Sequence, residues 1–304
     1  MPQRKAAKEM GVARPTFQHY LEIAENKYGI TVLHRSRGGH VAPTNHGRLE
    51  RTIKDGIVLV GSDLHSWPGP KPTGLLAFCH FAEKYRKEKT LRSVVLNGDA
   101  TDLARCSRHP PQGWTRMPET HEEIEATQED LGLIEEAVGK AEKIFPLGNH
   151  DARFETYLAS RAPEVANVHG TRLRDHFPLW EPCWGVMINN GPGGCFIKHR
   201  YKGGMYAPAN NAKAAGISVV TGHNHSQKII PVTTMLGTHW GVDTGCLANP
   251  WAPQFEYLEG APRDWRAGFA VLTFKDGVLL PPELVSVHDE AEHLVTFRGE
   301  IIEV

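Results

Sequence analysis

Asp63-Leu64-His65, Gly98-Asp99-Ala100-Thr101-Asp102, Gly148-Asn149-His150-Asp151, the single His199 and Gly222-His223-Asn224-His225 follow one another along a chain of 304 residues. Four of these five blocks come directly after a short apolar run: Ile57 to Val60, Val94 to Leu96, Ile144 to Phe145 and Ile217 to Val220. Runs of this kind, bounded by glycine and polar residues, are expected of strands buried on both faces. In open α/β sheets ligands gather outside the carboxyl ends of the strands, so the polar blocks are predicted to meet on one rim. Gly61, Gly98, Gly148 and Gly222 are expected to let the backbone turn where the sheet ends. Taken singly, Gly-Asp, Gly-Asn and Gly-His are ordinary turn dipeptides, and an Asp or Asn after a strand is commonly a helix cap. Taken together and in order, they supply the Asp, Asn and His donors that a two-metal hydrolase needs.

In that order the blocks resemble the calcineurin-like metallophosphoesterases, over about Ile57 to Phe274. The resemblance implies an α/β fold, a sandwich of two mixed β-sheets flanked by helices, with a dinuclear metal centre at the strand ends. Carried over position by position, it implies Asp63, His65, Asp99 and His225 around one cation and Asp99, Asn149, His199 and His223 around the other, with Asp99 bridging. Donors of nitrogen and oxygen without thiolate suit Mn, Fe, Zn or Ni better than Ca; Mn is the expected ion, with Fe, Zn, Ni or Mg as alternatives. His150 resembles the residue that protonates the leaving oxygen, and Asp102 the carboxylate that orients it; the alternative for Asp102 is a helix cap. Asp151 is either a support for the ligands or a turn residue. Some phosphoprotein phosphatases of the superfamily have an Arg where this chain has Leu103. Phosphate binding then falls to Arg153, Arg105 or Arg200, each of which could equally be a solvated surface cation.

The implied activity is hydrolysis of a phosphate ester by two divalent ions and a bridging hydroxide, with a phosphodiesterase or nuclease preferred. The alternatives are a phosphomonoesterase acting on nucleotides or phosphoproteins, and a DNA-binding regulator with a structural metal site. DNA or a nucleotide is the expected partner class.

Composition adds bounds. With 40% apolar and 23% charged residues the chain can bury a large core, and its net charge of −1 gives no overall steering toward nucleic acid. Met1 to Asp55 nevertheless holds ten basic residues against five acidic ones. Ala6-Ala7, Met10-Gly11-Val12, Pro15, Phe17, Leu21, Glu25 and Gly29-Ile30 resemble a truncated helix-turn-helix of the LysR-type regulators. That reading turns Arg14, Thr16, Gln18 and His19 outward toward DNA and makes Arg35 and Arg37 part of a basic, wing-like hairpin. The alternative is a helical hairpin that packs on the enzyme or joins two copies into a homo-oligomer. Residues 1–50 are thus expected to form a small helical, winged-helix-like segment and 56–304 the phosphoesterase domain, joined at the turn-rich Pro43 to Gly47. Five cysteines without a C-x-x-C pair, no leader-like start and no membrane-length apolar run predict a cytoplasmic protein with no membrane partner.

Three local expectations complete the reading. Thr120-x-x-Glu123 reads as a capping box opening a helix through Lys143. Trp114 and Arg116, with Phe177, Trp180 and Trp184, are candidates for the substrate groove, with buried packing as the competing role. Lys202 to Tyr206 reads as a flexible loop past His199, with Tyr206 either facing the cleft or packed as an ordinary connector residue, and Thr233 to Cys246 together with Gly268 to Val287 are expected to complete the second sheet.

Overall fold

All four apolar runs form strands, and they fall in two sheets. The computed structural model describes residues 47–109, 117–165, 168–235, 237–259 and 264–304. The N-terminal candidates Arg14, Thr16, Gln18, His19, Arg35 and Arg37 lie outside the described residues, as do Trp114 and Arg116.

One sheet has β1 (Arg48–Arg51), β6 (Gly185–Ile188), β7 (Cys195–Ile197), β8 (Ser218–Thr221), β10 (Gly237–Asp243) and β9 (Lys228–Thr234), in that spatial order. The other runs β15 (Glu300–Glu303), β14 (Leu294–Phe297), β13 (Glu283–Asp289), β11 (Gly268–Lys275), β2 (Gly56–Gly61), β3 (Leu91–Leu96), β4 (Glu142–Pro146) and β5 (Glu181–Cys183), with β12 (Val278–Leu279) paired to β11. Both are mixed: β2 to β5 are parallel while β11 runs antiparallel to β2, and β8 is parallel to β7 and β10 while β9 is antiparallel to β10.

Alternation along the strands explains why the sheets stack. In β2, Leu59 faces the helices while Val58 and Val60 face the other sheet, and in β3 Val94 and Leu96 divide from Val95 in the same way. The inter-sheet core joins Val58, Val60, Val95 and Ile144 to Val186, Ile188, Ile197, Val220 and Val242. Helices α1 (Thr73–Lys87) and α2 (Thr120–Val138) cover the outer face of the larger sheet, and α5 (Ala207–Ala215) lies on the smaller one; α3 (Arg153–Arg161) and the short α4 (Leu173–His176) lie between β4 and β5 in sequence. Helix α1 buries Leu75, Phe78, Phe81, Ala82 and Tyr85, three and four residues apart, and places Lys84, Arg86 and Lys87 at its C-terminal end, where the helix dipole favours cations. This is the two-sheet, helix-flanked sandwich that the motif order implied.

Three details differ from expectation. The stretch Gly268 to Val287 joins the sheet of β2 rather than that of β8, because β11 is apolar on both faces: Phe269 and Val271 pack under the helices, Ala270 and Leu272 between the sheets. Helix α2 ends at Val138, where Gly139 takes a φ of 62°, and Lys143 belongs to β4. Its cap lies one residue earlier than expected: the Glu119 amide donates to Glu122 Oε2 at 2.7 Å, closing a capping box that Thr120 and Glu123 do not form.

Glu123 instead points inward and accepts from the Ala104 amide through both oxygens, at 3.1 and 3.2 Å. Burial, reinforced by the negative charge of Asp102, pushes its carboxyl from 4.5 up to about 8. The folded state therefore binds this proton more tightly than the unfolded one. Its stabilising contribution is complete below the unfolded value and is lost as pH rises through about 8. Glu123→Gln, which stays neutral, is expected to flatten the decline of stability between about pH 5 and 8, as read by urea unfolding at a series of pH values.

Candidate metal centre

The polar blocks converge because β2, β3 and β4 are adjacent and parallel, and β7 and β8 likewise, so Asp63, Asp99, Asn149, His199 and His223 all follow strand carboxyl ends. The loops then cross-link. Asp63 N donates to Gly98 O at 2.9 Å, His65 N to Asp99 O at 3.0 Å and Gly222 N to His199 O at 2.9 Å. These bonds hold five candidate ligands in left-handed backbone conformations: Asp63 at φ 54°, His65 at 43°, Asp99 at 52°, His223 at 71° and His225 at 55°. Each such residue costs on the order of 1–3 kcal/mol, and clustering of strain of this kind marks sites where side-chain position matters more than local stability. Of the four glycines expected to turn the backbone, only Gly98 takes a positive φ, 83°. A Cβ at Gly148 would overlap Asp99 Oδ1, and one at Gly222 would overlap Asp63 Oδ2, so these positions admit a ligand carboxylate rather than a special φ. Gly148→Ala is accordingly expected to displace Asp99 and weaken metal binding by at least about tenfold, measured by calorimetric titration.

Donor atoms of Asp63, His65 and His225 fall within 4.8 Å of one another, as do those of Asp99, His199 and His223, and a third group of His65, Asp99 and His150 links the two. Asp63, His65, Asp99, His199 and His225 are buried. Buried polar atoms ordinarily have hydrogen-bond partners, yet His65 Nε2, Asn149 Oδ1, His199 Nε2 and His225 Nδ1 have none. His199 Nε2 lies 3.1 Å from Asp99 Oδ2 without the direction of a hydrogen bond. Two ligands at right angles on a cation about 2.1 Å away stand about 3 Å apart, so this spacing suits a shared ion. His225 Nε2 lies 3.1 Å from Asp63 Oδ1, and His65 Nε2 lies 3.9 Å from the same atom.

The charge balance agrees. Burial pushes the Asp63 carboxyl up, but the imidazoles of His225 and His199 outweigh it and hold it at about 2. Asp99 is likewise held well below the usual carboxylate range against its burial by His199, His150 and His65. For His199, burial opposes charge while Asp99 and Asp63 favour it, and the carboxylates prevail. A pocket of two buried, ionised carboxylates attracts positive charge, which divalent cations would supply. The donors present fit a pair of such ions.

Outer contacts fix the ligand tautomers. Asp102 Oδ1 accepts from His150 Nδ1 at 2.7 Å and from His65 Nδ1 at 3.0 Å, which leaves both Nε2 atoms facing the centre. Asp102 therefore orients the candidate ligand His65 as well as His150, and it caps no α-helix. His199 Nδ1 donates to Asn97 O at 2.8 Å, again freeing Nε2. Asp151 accepts from the amides of Asp99, Ala100, Thr101 and Gly148 and from the Thr101 hydroxyl, tying the second block to the third.

The three arginines separate. Arg153 reaches the centre, donating Nη1 to Asp102 O at 2.7 Å and Nη2 to His150 Nε2 at 3.0 Å. Arg105 is held by Pro118 O, Met117 O and Glu119, so its guanidinium is already occupied. Arg200 is exposed on a cavity that reaches His223. Leu103 is fully buried in the core. Of the expected groove residues, Phe177 and Trp180 are core, while the cavity beside His65, about 870 Å³, is walled by Trp67 and Trp251. Sequence reading also missed an aromatic support. The Phe255 ring stands 5.2 Å from His65 and 5.7 Å from His225, and Trp265 stands 4.1 Å from His225. Gln254 Nε2 donates to His65 O at 3.1 Å.

No family model matches the chain. Gene 54 protein of Mycobacterium phage L5 is 33% identical over 155 residues, 46% of this chain and 59% of that protein; Gene 54 protein of Mycobacterium phage D29 is 33% identical over 156 residues with the same coverage. The match thus spans under two thirds of these relatives. Among solved structures, a single mutant of Vps29 from Entamoeba histolytica aligns with 82% of this chain and 99% of its own at a TM-score of 0.42 and 14% identity. A dimetal phosphatase from Danio rerio aligns with 82% of this chain and 98% of its own at 0.39 and 8% identity. A novel archaeal phosphodiesterase aligns with 76% of this chain and 99% of its own at 0.37 and 13% identity. No helix among the described residues is long and apolar enough to cross a membrane.

Proposed function

We propose that the chain is a metal-dependent phosphoesterase that hydrolyses phosphodiesters at a dinuclear centre. The observation that carries this reading is the set of buried donor atoms without partners, His65 Nε2, Asn149 Oδ1 and His199 Nε2, grouped around Asp63 and Asp99. Asp63, His65, Asp99 and His225 would hold one cation, and Asp99, Asn149, His199 and His223 the other, with Mn the preferred ion. When bound, such a pair activates water near neutral pH and neutralises charge on the attacking and leaving oxygens.

The chain's own residues do the rest. Water adds to phosphorus, the bond to the leaving oxygen breaks, and that oxygen takes up a proton. His150 is the group placed to deliver it, because its Nδ1 proton is committed to Asp102 and its Nε2 faces the centre. In the present arrangement Nε2 accepts from Arg153, so it carries a lone pair. A phosphate drawing Arg153 to itself would release Nε2 to take up a proton from solvent, and the imidazolium so formed would give that proton to the leaving oxygen and return to its neutral form. His150→Gln is expected to retain metal while slowing turnover by about 10²–10⁴-fold, and Arg153→Ala to raise KM for the diester; steady-state kinetics beside metal analysis separates the two.

The reading is tested by comparing bis(p-nitrophenyl) phosphate with p-nitrophenyl phosphate, using metal-stripped protein reloaded with Mn, Ni, Zn or Mg. Faster turnover of the diester with Mn is expected. Preference for the monoester would overturn the diesterase assignment, and inactivity with every ion on both would overturn the phosphoesterase one. In both the N-terminal segment remains a proposed DNA-binding or dimerising module, testable by duplex mobility with and without residues 1–46.

A further inference from the structure

Two cavities meet the candidate metal centre, and their charges are opposite. The larger, beside His65, is lined by Glu119, Glu122, Asp130 and Glu290, and its one lysine, Lys71, is already paired to Asp130 at 2.7 Å. The smaller, about 400 Å³, lies against His223; Lys198, Arg200 and Lys202 line it, and its lining contains no acidic residue. A polyanion crossing the centre is repelled at one side and neutralised at the other. The basic cavity also carries a ring. Tyr201 is 51% exposed, with Lys198 Nζ 5.8 Å and Lys202 Nζ 5.7 Å from its centroid, and Met205 and Tyr206, later in the same loop, are 70% and 68% exposed. Cations interleaved with exposed aromatic faces bind single strands, whose phosphates meet the charges while unstacked bases lie on the rings. A duplex keeps its base faces covered.

We propose that the substrate is a single-stranded polynucleotide whose chain leaves the centre past His223, with phosphates on Lys198, Arg200 and Lys202 and a base stacked on Tyr201. The group beyond the scissile phosphate, on the acidic side, is a terminal uncharged nucleoside in the cavity that Trp67 and Trp251 line. This rests on the phosphodiesterase reading and assigns its substrate class and direction.

The full-length, Mn-loaded protein is assayed on bis(p-nitrophenyl) phosphate, a thymidine dinucleotide, single-stranded octathymidylate and the same octamer annealed to its complement. The octamer is expected to exceed the dinucleotide by about tenfold or more in kcat/KM, an advantage that falls with added salt, and to exceed the duplex by a similar factor. Lys202→Ala and Tyr201→Leu are expected to shrink the octamer-to-dinucleotide ratio, by about tenfold for the tyrosine, through KM. Because the ratio is taken within each protein, a general loss of activity cancels. Anisotropy of labelled octamer on metal-free protein reads binding independently, with weaker binding expected for both variants. Equal turnover of octamer and dinucleotide, preference for the duplex, or a ratio unmoved in both variants would overturn the inference while turnover of the small diester leaves the phosphodiesterase reading standing. Absence of turnover on every diester would overturn both.

Discussion

Asp99→Asn is expected to abolish loading of both ions and to lower diester turnover by about a thousandfold or more, the scale of several kcal/mol of charge stabilisation. Asp99 falls in one donor group with His199 and His223 and in a second with His65 and His150, and so links the two sides of the centre. Its Oδ1 accepts the His150 amide at 2.8 Å and its Oδ2 lies 3.1 Å from His199 Nε2. An asparagine offers one acceptor oxygen and no charge, so it cannot face two cations. The fold is expected to survive, because Asn tolerates the left-handed conformation that position 99 adopts at φ 52°. Metal content and kcat are read on the same sample, with circular dichroism as the folding control. Retention of both ions with loss of activity would place Asp99 outside the bridge.

The largest expected effect on stability belongs to a residue that touches neither proposed cation. Asp151→Ala removes the acceptor for four buried amides, those of Asp99, Ala100, Thr101 and Gly148, and for the Thr101 hydroxyl. An unsatisfied buried donor costs about 1–3 kcal/mol, so the variant is expected to lose on the order of 5 kcal/mol, a large part of what holds a domain folded. Asp151→Asn keeps one carbonyl oxygen and should lose less. Urea unfolding of the metal-free proteins measures this directly, since metal binding then plays no part. A loss below about 1 kcal/mol for the alanine variant would mean that water or relaxed loops replace the carboxylate.

The fold and the site are legible in the sequence to different depths. Blocks such as Gly98 to Asp102 can be read because a strand end, a turn and a donor lie within a few residues of one another. The partition of strands between sheets cannot, because β11 pairs with β2 across more than two hundred positions and only its apolarity on both faces hints at a central place. The motif also names Asp102 for His150 but not for His65, since the second hydrogen bond depends on how two loops meet. Phe255 and Trp265 have no local signal at all; one lies in a short 3-10 helix, Pro253–Leu258, the other in a loop, and they reach His65 and His225 only through tertiary packing. Leu103 shows the reverse case. The sequence excludes a cation at Leu103, which is fully buried, but leaves three arginines open, and only their contacts single out Arg153 on α3 as the one that reaches the centre.

The most direct test is a crystal of protein loaded with Mn, examined by anomalous scattering at the metal edge. Two peaks about 3.5–4 Å apart are expected with Asp99 between them, one reached by Asp63, His65 and His225 and the other by Asn149, His199 and His223. A single peak, or peaks away from these side chains, would contradict a dinuclear centre built on Asp99.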